Sequence, residues 1–133
     1  MLHAHAGSRA EADVAGRILI VDDEPGMTRS VGILLRREHY QVNEAASVAA
    51  AVGLLKLERH HLVITDLMME PLDGLDLLVL IRRYQPACPV VVMTAFATPE
   101  SHREALRLGA VDFVEKPLQP DRLLPRIRYL VNG

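Results

Sequence analysis

The chain has 133 residues, half of them hydrophobic and 24% charged, which is typical of one globular domain with a continuous core. Its formal net charge of −2 and aromatic content of 4% argue against nucleic-acid binding by this chain alone, because such binding needs a basic surface or stacking rings. No apolar stretch is long enough to span a membrane, and the N-terminus lacks the apolar segment of a signal peptide. The single cysteine, Cys88, excludes an intramolecular disulfide. We therefore expect a cytoplasmic protein in which Cys88 is simply buried.

In chain order, residues 1–16 show no strong hydrophobic period, and we predict a flexible tail there. Residues 17–133 form one predicted domain in which five apolar runs alternate with five amphipathic stretches. The predicted strands cover residues 17–22, 40–45, 62–66, 90–94 and 111–114. The predicted helices begin near Pro25, Ser47, Asp73, Thr98 and Pro120. This alternation indicates a parallel sheet of right-handed βαβ units with helices on both faces.

Polar side chains follow four of the apolar runs at the point where each strand ends. Asp22 and Asp23 follow the first strand, Asp66 ends the third, Thr94 ends the fourth and Lys116 follows the fifth. Ligands of open α/β sheets bind outside the carboxyl ends of the strands. We therefore expect these five side chains to lie together at one edge of the sheet.

The types of these residues suit phosphate and metal chemistry. Three neighbouring carboxylates repel one another unless a cation lies among them, and hard oxygen ligands favour Mg²⁺. Asp66 could then act as a nucleophile that forms an aspartyl phosphate. Thr94 offers a hydroxyl and Lys116 a charged donor for phosphoryl oxygens. Lys116 is also one of only two lysines among 15 basic residues, so a lysine at this position is unusual in a chain whose basic residues are mostly arginine.

With these residues in view, the chain resembles the response-regulator receiver domains of two-component signal transduction. The resemblance extends from Arg17 to Val131. Its motifs are Ile20–Pro25, Thr65–Met69 with Asp73-Gly74, Val92–Ala95 and Glu115–Leu118.

The resemblance implies a flavodoxin-like (βα)5 doubly wound fold with strand order 2-1-3-4-5. It implies that Asp66 accepts a phosphoryl group from a phosphohistidine on a sensor histidine kinase or a histidine phosphotransfer protein. Mg²⁺ would be bound directly by Asp23, Asp66 and the backbone carbonyl of Met68, and through water by Asp22. Lys116-Pro117 would be a cis peptide.

The resemblance also implies a conformational switch. Thr94 would move toward the phosphoryl group while Phe113, three residues before the lysine, turns inward. The output surface would consist of the helix from Pro99, the strand at Phe113 and the last helix. A downstream effector protein or domain would bind there, or a homodimer would form through this face on phosphorylation. One departure concerns the loop after Asp66, where Glu70 stands in place of the usual proline and Pro71 follows it.

Two other functions remain open on sequence grounds. A Mg²⁺-dependent phosphohydrolase also uses an aspartate nucleophile at a strand end, but such enzymes carry a second aspartate two residues later, where this chain has Met68. An interaction domain that is no longer phosphorylated would not need the complete set of acids, threonine and lysine. We therefore predict a phosphoacceptor switch, and not an enzyme acting on other substrates. Dinucleotide-binding and P-loop functions are excluded because neither glycine fingerprint is present.

Overall fold

A computed structural model describes residues 16–132, and within this range five strands alternate with five helices. The strands are β1 (Gly16–Val21), β2 (Tyr40–Ala45), β3 (Leu62–Asp66), β4 (Val90–Thr94) and β5 (Asp112–Glu115). The helices are α1 (Pro25–Arg37), α2 (Val48–Leu57), α3 (Gly74–Tyr84), α4 (Pro99–Arg107) and α5 (Pro120–Asn132). The strand bounds predicted from the sequence are therefore correct to within one residue.

All five strands are parallel and lie in the order β2-β1-β3-β4-β5, which confirms the predicted fold class. The pairing aligns the strand ends: Val21 lies opposite Thr65, and Thr94 lies opposite Glu115. Residues that follow one strand therefore lie beside residues that follow its neighbour. This alignment builds the site.

Each face of the sheet has its own buried core, as expected for a doubly wound fold. The buried side chains of α1 and α5 pack on one face, and those of α2, α3 and α4 pack on the other. Strand β3 is central, and every one of its residues is buried, including the carboxylate that ends it. An apolar run of this kind suits a strand covered on both faces.

Capping residues that the sequence indicates fix where several helices begin. The side chain of Ser47 accepts a hydrogen bond from the backbone N–H of Ala50 at the start of α2. Asp73 and Thr98 each form a capping box, at the start of α3 and α4 respectively. At the other end of α4, Gly109 adopts a φ of +107°, a conformation that side chains rarely tolerate.

Cys88 is buried just before β4, as predicted, and burial raises the pKa of its thiol to about 11. The thiol is therefore protonated at neutral pH and is not a reactive nucleophile. The predicted tail lies outside the described residues except for Gly16, which belongs to β1. No helix among residues 16–132 is both long enough and apolar enough to cross a membrane.

Candidate functional site

The structure brings three predicted acidic residues together at the carboxyl edge of the sheet. Asp22 directly follows β1 and is fully buried, Asp23 is exposed, and Asp66 ends β3 with 5% of its surface exposed. One carboxylate oxygen from each residue lies within 4.8 Å of the other two. The edge therefore concentrates negative charge at one point.

Lys116 is the cation that faces these acids. It directly follows β5, and only 9% of its side chain is exposed. Its Nζ donates a hydrogen bond to Oδ2 of Asp22 at 2.8 Å and lies 3.4 Å from Oδ2 of Asp66 and 3.7 Å from Oε1 of Glu24. Among residues 16–132, one ammonium thus serves several carboxylates and neutralises only part of their charge.

The pKa values of two groups reflect this imbalance. Burial and the neighbouring charge of Asp22 raise the pKa of Asp66, while Lys116 and the backbone N–H of Met68 act in the opposite direction. Burial works to lower the pKa of Lys116, but its hydrogen bond to Asp22 and the attraction of Asp22 and Asp66 raise it overall. The charged ammonium of Lys116 therefore lies beside the carboxylate of Asp66, whose ionisation costs free energy at this position.

Thr94 places a hydroxyl at the same edge. It is the last residue of β4, it is fully buried, and its Oγ1 accepts a hydrogen bond from the backbone N–H of Phe96 at 3.1 Å. The backbone N–H of Lys116 donates to the carbonyl of Thr94 at 2.9 Å. The Thr94 hydroxyl still has a proton to donate to a ligand, because the hydrogen bond from Phe96 uses only an acceptor position.

The loop after Asp66 places its two methionines differently. Met68 is 60% exposed, while Met69 is 4% exposed and belongs to the core of the α2–α3–α4 face. The peptide between Glu70 and Pro71 is cis, and so is the peptide between Lys116 and Pro117, the second of which the family resemblance implied.

Gly74 belongs to the Asp73-Gly74 pair of the sequence motif, and the structure shows why a glycine is needed at this position. A Cβ atom at this position would clash with the backbone carbonyl oxygen of Asp66 and would lie 3.0 Å from Cα of Leu67. The first turn of α3 therefore packs directly on the backbone of Asp66. The sequence offered only the Asp73-Gly74 pair as a signal for this approach.

The predicted output elements adjoin one another. Phe113 lies in β5 beside α4, is partly buried, and packs on the core of the α2–α3–α4 face. Nearby, Arg126 of α5 forms an ion pair with Asp112 of β5. Leu106, Val111 and Tyr129 add exposed hydrophobic surface in or beside α4, β5 and α5.

The acidic cluster has the chemistry that Mg²⁺ requires. Carboxylates supply hard oxygen ligands, and exposed Asp23 leaves one side open to waters and to an incoming phosphate. The unneutralised charge around Asp66 gives a reason for a cation to bind there. The residues of this structure therefore fit a divalent cation.

Comparison with known proteins agrees with this geometry. The profile of the response regulator receiver domain matches residues 18–128. The chain is 36% identical over 110 residues to the transcriptional regulatory protein GlrR of Escherichia coli K12, covering 83% of this chain and 25% of that protein. It thus spans about a quarter of the length of this curated relative.

Two solved structures have the same fold. The receiver domain of NtrX from Brucella abortus superposes with a TM-score of 0.81 at 32% identity, covering 87% of this chain and 98% of that chain. A CheY-like response regulator receiver domain protein from Methanospirillum hungatei JF-1 gives a TM-score of 0.84 at 28% identity, covering 87% and 93%. The chain belongs to the response regulator receiver domain family, the module of two-component systems that takes part in phosphorelay signalling.

Proposed function

We propose that Asp66 is the phosphoacceptor of this receiver domain, and that it takes its phosphoryl group from a phosphohistidine on a sensor histidine kinase or a histidine phosphotransfer protein. The observation that carries this proposal is the position of Asp66, a buried carboxylate at the end of the central strand with the Lys116 ammonium 3.4 Å away. In the transfer, the P–N bond of the phosphohistidine breaks as a P–O bond to Asp66 forms.

The residues around Asp66 have different roles in the transfer. Lys116 and the hydroxyl of Thr94 donate to phosphoryl oxygens, so that charge on the transferring group is stabilised by groups that are already in place. Asp23, Asp66 and the backbone carbonyl of Met68 would hold Mg²⁺ directly, and Asp22 would hold it through water. When bound, Mg²⁺ supplies positive charge that neutralises the phosphoryl oxygens.

The consequence of phosphorylation is a change at the output surface formed by α4, β5 and α5. Thr94 moves toward the phosphoryl group and Phe113 turns inward, which alters the surface that an effector or a second copy of the chain contacts. A downstream effector protein or domain binds this face, or a homodimer forms through it on phosphorylation. The only reactions of the domain are its own phosphorylation and autodephosphorylation, so it is a switch and not an enzyme for other substrates.

Incubation with acetyl phosphate and Mg²⁺, followed by intact mass measurement, tests the acceptor. We expect the wild type to gain one phosphoryl group and Asp66→Asn, which keeps the size of the side chain, to gain none. Asp121→Asn removes an exposed carboxylate from the first turn of α5 and should behave as the wild type. A wild type that stays unmodified, or an Asp66→Asn variant that is still modified, would contradict the proposal. The former would favour an interaction domain that is not phosphorylated.

Calorimetric titration with Mg²⁺ tests the metal ligands without any phosphoryl donor. Loss of an outer-shell partner of a metal typically costs about 10–100-fold in affinity, and loss of a direct ligand should cost at least as much. We therefore expect Asp23→Asn to weaken Mg²⁺ binding at least about tenfold, with Asp121→Asn as the control of equal charge change. Equal affinities in all three proteins would remove Asp23 from the ligand set.

A further inference from the structure

The ring of Phe113 is stacked on the imidazole of His102, a contact between β5 and α4. The ring centroids are 4.9 Å apart and the two planes differ by 16°, so the rings are nearly parallel. His102 is exposed on α4, while Phe113 is partly buried. An exposed residue of a different element therefore covers one face of the phenyl ring.

Phe113 and Thr94 lie on the same face of the sheet. Phe113 pairs with Val92 in the β4–β5 ladder, and both belong to the core beneath α2, α3 and α4. Side chains of a strand alternate between faces, so Thr94, two residues after Val92, points to that face as well. The two residues that the proposed switch uses therefore face the same core.

Open space adjoins Phe113 on the face of the sheet that carries α4. A cleft of about 420 Å³ lies between the loop before α4 and β5, and it is lined by Ala97, Thr98, Pro99, His102, Phe113 and Glu115. The ring therefore borders open space on this side, and its stack with His102 is one of the contacts that define its position.

We propose that His102 is a positioning residue for the switch, and that its imidazole holds the Phe113 ring in the outward conformation of the unphosphorylated domain. This inference rests on the proposed role of Phe113 in the switch. For the ring to turn inward, the stack must separate. Stacked aromatic pairs favour the paired state by a factor of about two to twelve, so the stack sets how far phosphorylation must shift the equilibrium.

The chain contains only two phenylalanines, which makes the ring directly observable. Ring-labelled phenylalanine gives two sets of NMR signals, and a Phe96→Leu variant assigns them. The informative variants are His102→Ala, which removes the stack, and His102→Tyr, which keeps a flat ring without adding a phenylalanine. Arg103→Ala, at the neighbouring exposed position of α4, is the matched control.

Without a phosphoryl donor, we expect His102→Ala to move the Phe113 signals toward their positions in the acetyl phosphate-treated wild type. The inward population should rise about two- to twelvefold, and phosphorylation by acetyl phosphate should accelerate by a similar factor. His102→Tyr should restore the wild-type spectrum and rate, and Arg103→Ala should change neither.

Three outcomes would overturn the inference. Phe113 signals that do not respond to His102→Ala show that the stack does not position the ring, whether or not Asp66 is phosphorylated. A His102→Tyr variant that behaves like His102→Ala excludes stacking as the cause. Signals that respond to His102→Ala but not to phosphorylation make the stack a structural contact only. Failure of the proposed acceptor function is recognised separately, by a wild type that gains no phosphoryl mass.

Discussion

The two edges of the sheet differ in the charge and hydrogen bonding of their buried polar groups. At the carboxyl edge, Asp22 and Asp66 share the ammonium of Lys116 with their neighbours, and like charges stay close together. At the amino edge, the buried His60 lies among neutral hydrogen-bonding groups: its backbone N–H donates to Gln85 and its Nε2 lies 2.9 Å from Nδ2 of Asn43. One edge retains unbalanced charge that a ligand can use, and the other joins its buried polar groups through hydrogen bonds between neutral groups.

Gln85 is the centre of the hydrogen bonds at the amino edge. Its side-chain Nε2 donates to the carbonyls of Leu55 and Glu58 at 2.9 and 2.6 Å, and its Oε1 accepts from the backbone N–H of His60 at 2.8 Å. One amide thus joins the end of α2 to the segment that enters β3. These contacts do not involve the carboxyl edge, so we expect that substitutions can alter stability and function separately.

The largest effect should follow from removing that amide. Gln85→Ala leaves two carbonyls and one N–H without their partner, and we expect the free energy of unfolding to fall by about 2–4 kcal/mol. Phosphorylation of the protein that remains folded should be unchanged. Urea denaturation measures the first and intact mass the second, with Gln119→Ala as a control at an exposed glutamine. A loss below about 0.5 kcal/mol, the range of ordinary surface substitutions, would contradict this view of the amino edge.

The next effect concerns the carboxyl edge, where α3 packs on the acceptor. Gly74→Ala introduces a Cβ against the Asp66 carbonyl, and we expect a loss of about 1–3 kcal/mol because backbone atoms must shift. Unlike Gln85→Ala, it should also slow phosphorylation, since Asp66 itself is displaced. Both changes are measured as before, by urea denaturation and intact mass.

Gly53 supplies the matched control for this substitution. It lies inside α2, and an added Cβ there would meet nothing within 4 Å, so the same change has room. Gly53→Ala should stabilise the protein by about 0.5–1 kcal/mol through helix propensity alone. If Gly74→Ala behaves like Gly53→Ala, the close approach of α3 to Asp66 does not constrain the site.

Most of the fold could be predicted from the sequence because local signals and buried patterns agree. The runs that form β3 and β4 are apolar over most of their length, as strands covered on both faces must be. Thr98 and Gly109 define the two ends of α4 through local capping and backbone conformation, which do not depend on contacts with other elements. The grouping of the acids with Lys116 also followed, since parallel strands end at one edge.

What could not be predicted depends on contacts between distant residues. The burial of His60 requires Asn43 and Gln85, which lie 17 and 25 residues away. The stack of His102 on Phe113 depends on how α4 lies over β5, and no spacing in the sequence indicates it. Side-chain pairing between elements is therefore the level at which a single sequence stops being informative.

The smallest expected effect is a difference between the two edges in how their polar groups make stability depend on pH. Burial, followed by the charge of Arg17, lowers the pKa of His60 from 6.5, so the unfolded chain binds the proton more readily than the folded one. Stability should therefore fall as the pH drops below 6.5 toward the folded-state pKa. For Asp66 the sign is reversed: its raised pKa makes the folded state bind the proton more readily, so stability rises as the pH falls through that pKa toward 3.8.

Urea denaturation across this pH range measures both contributions. His60→Gln keeps an acceptor for Asn43 but cannot be protonated, so its stability should vary less than that of the wild type just below pH 6.5. His39→Asn is the control, because His39 is exposed and its positive φ of 71° is one that asparagine tolerates. Asp66→Asn should instead remove the gain near the acid end of the range. Equal slopes for the wild type and His60→Gln would mean that the amino edge accommodates a charge as readily as the carboxyl edge does.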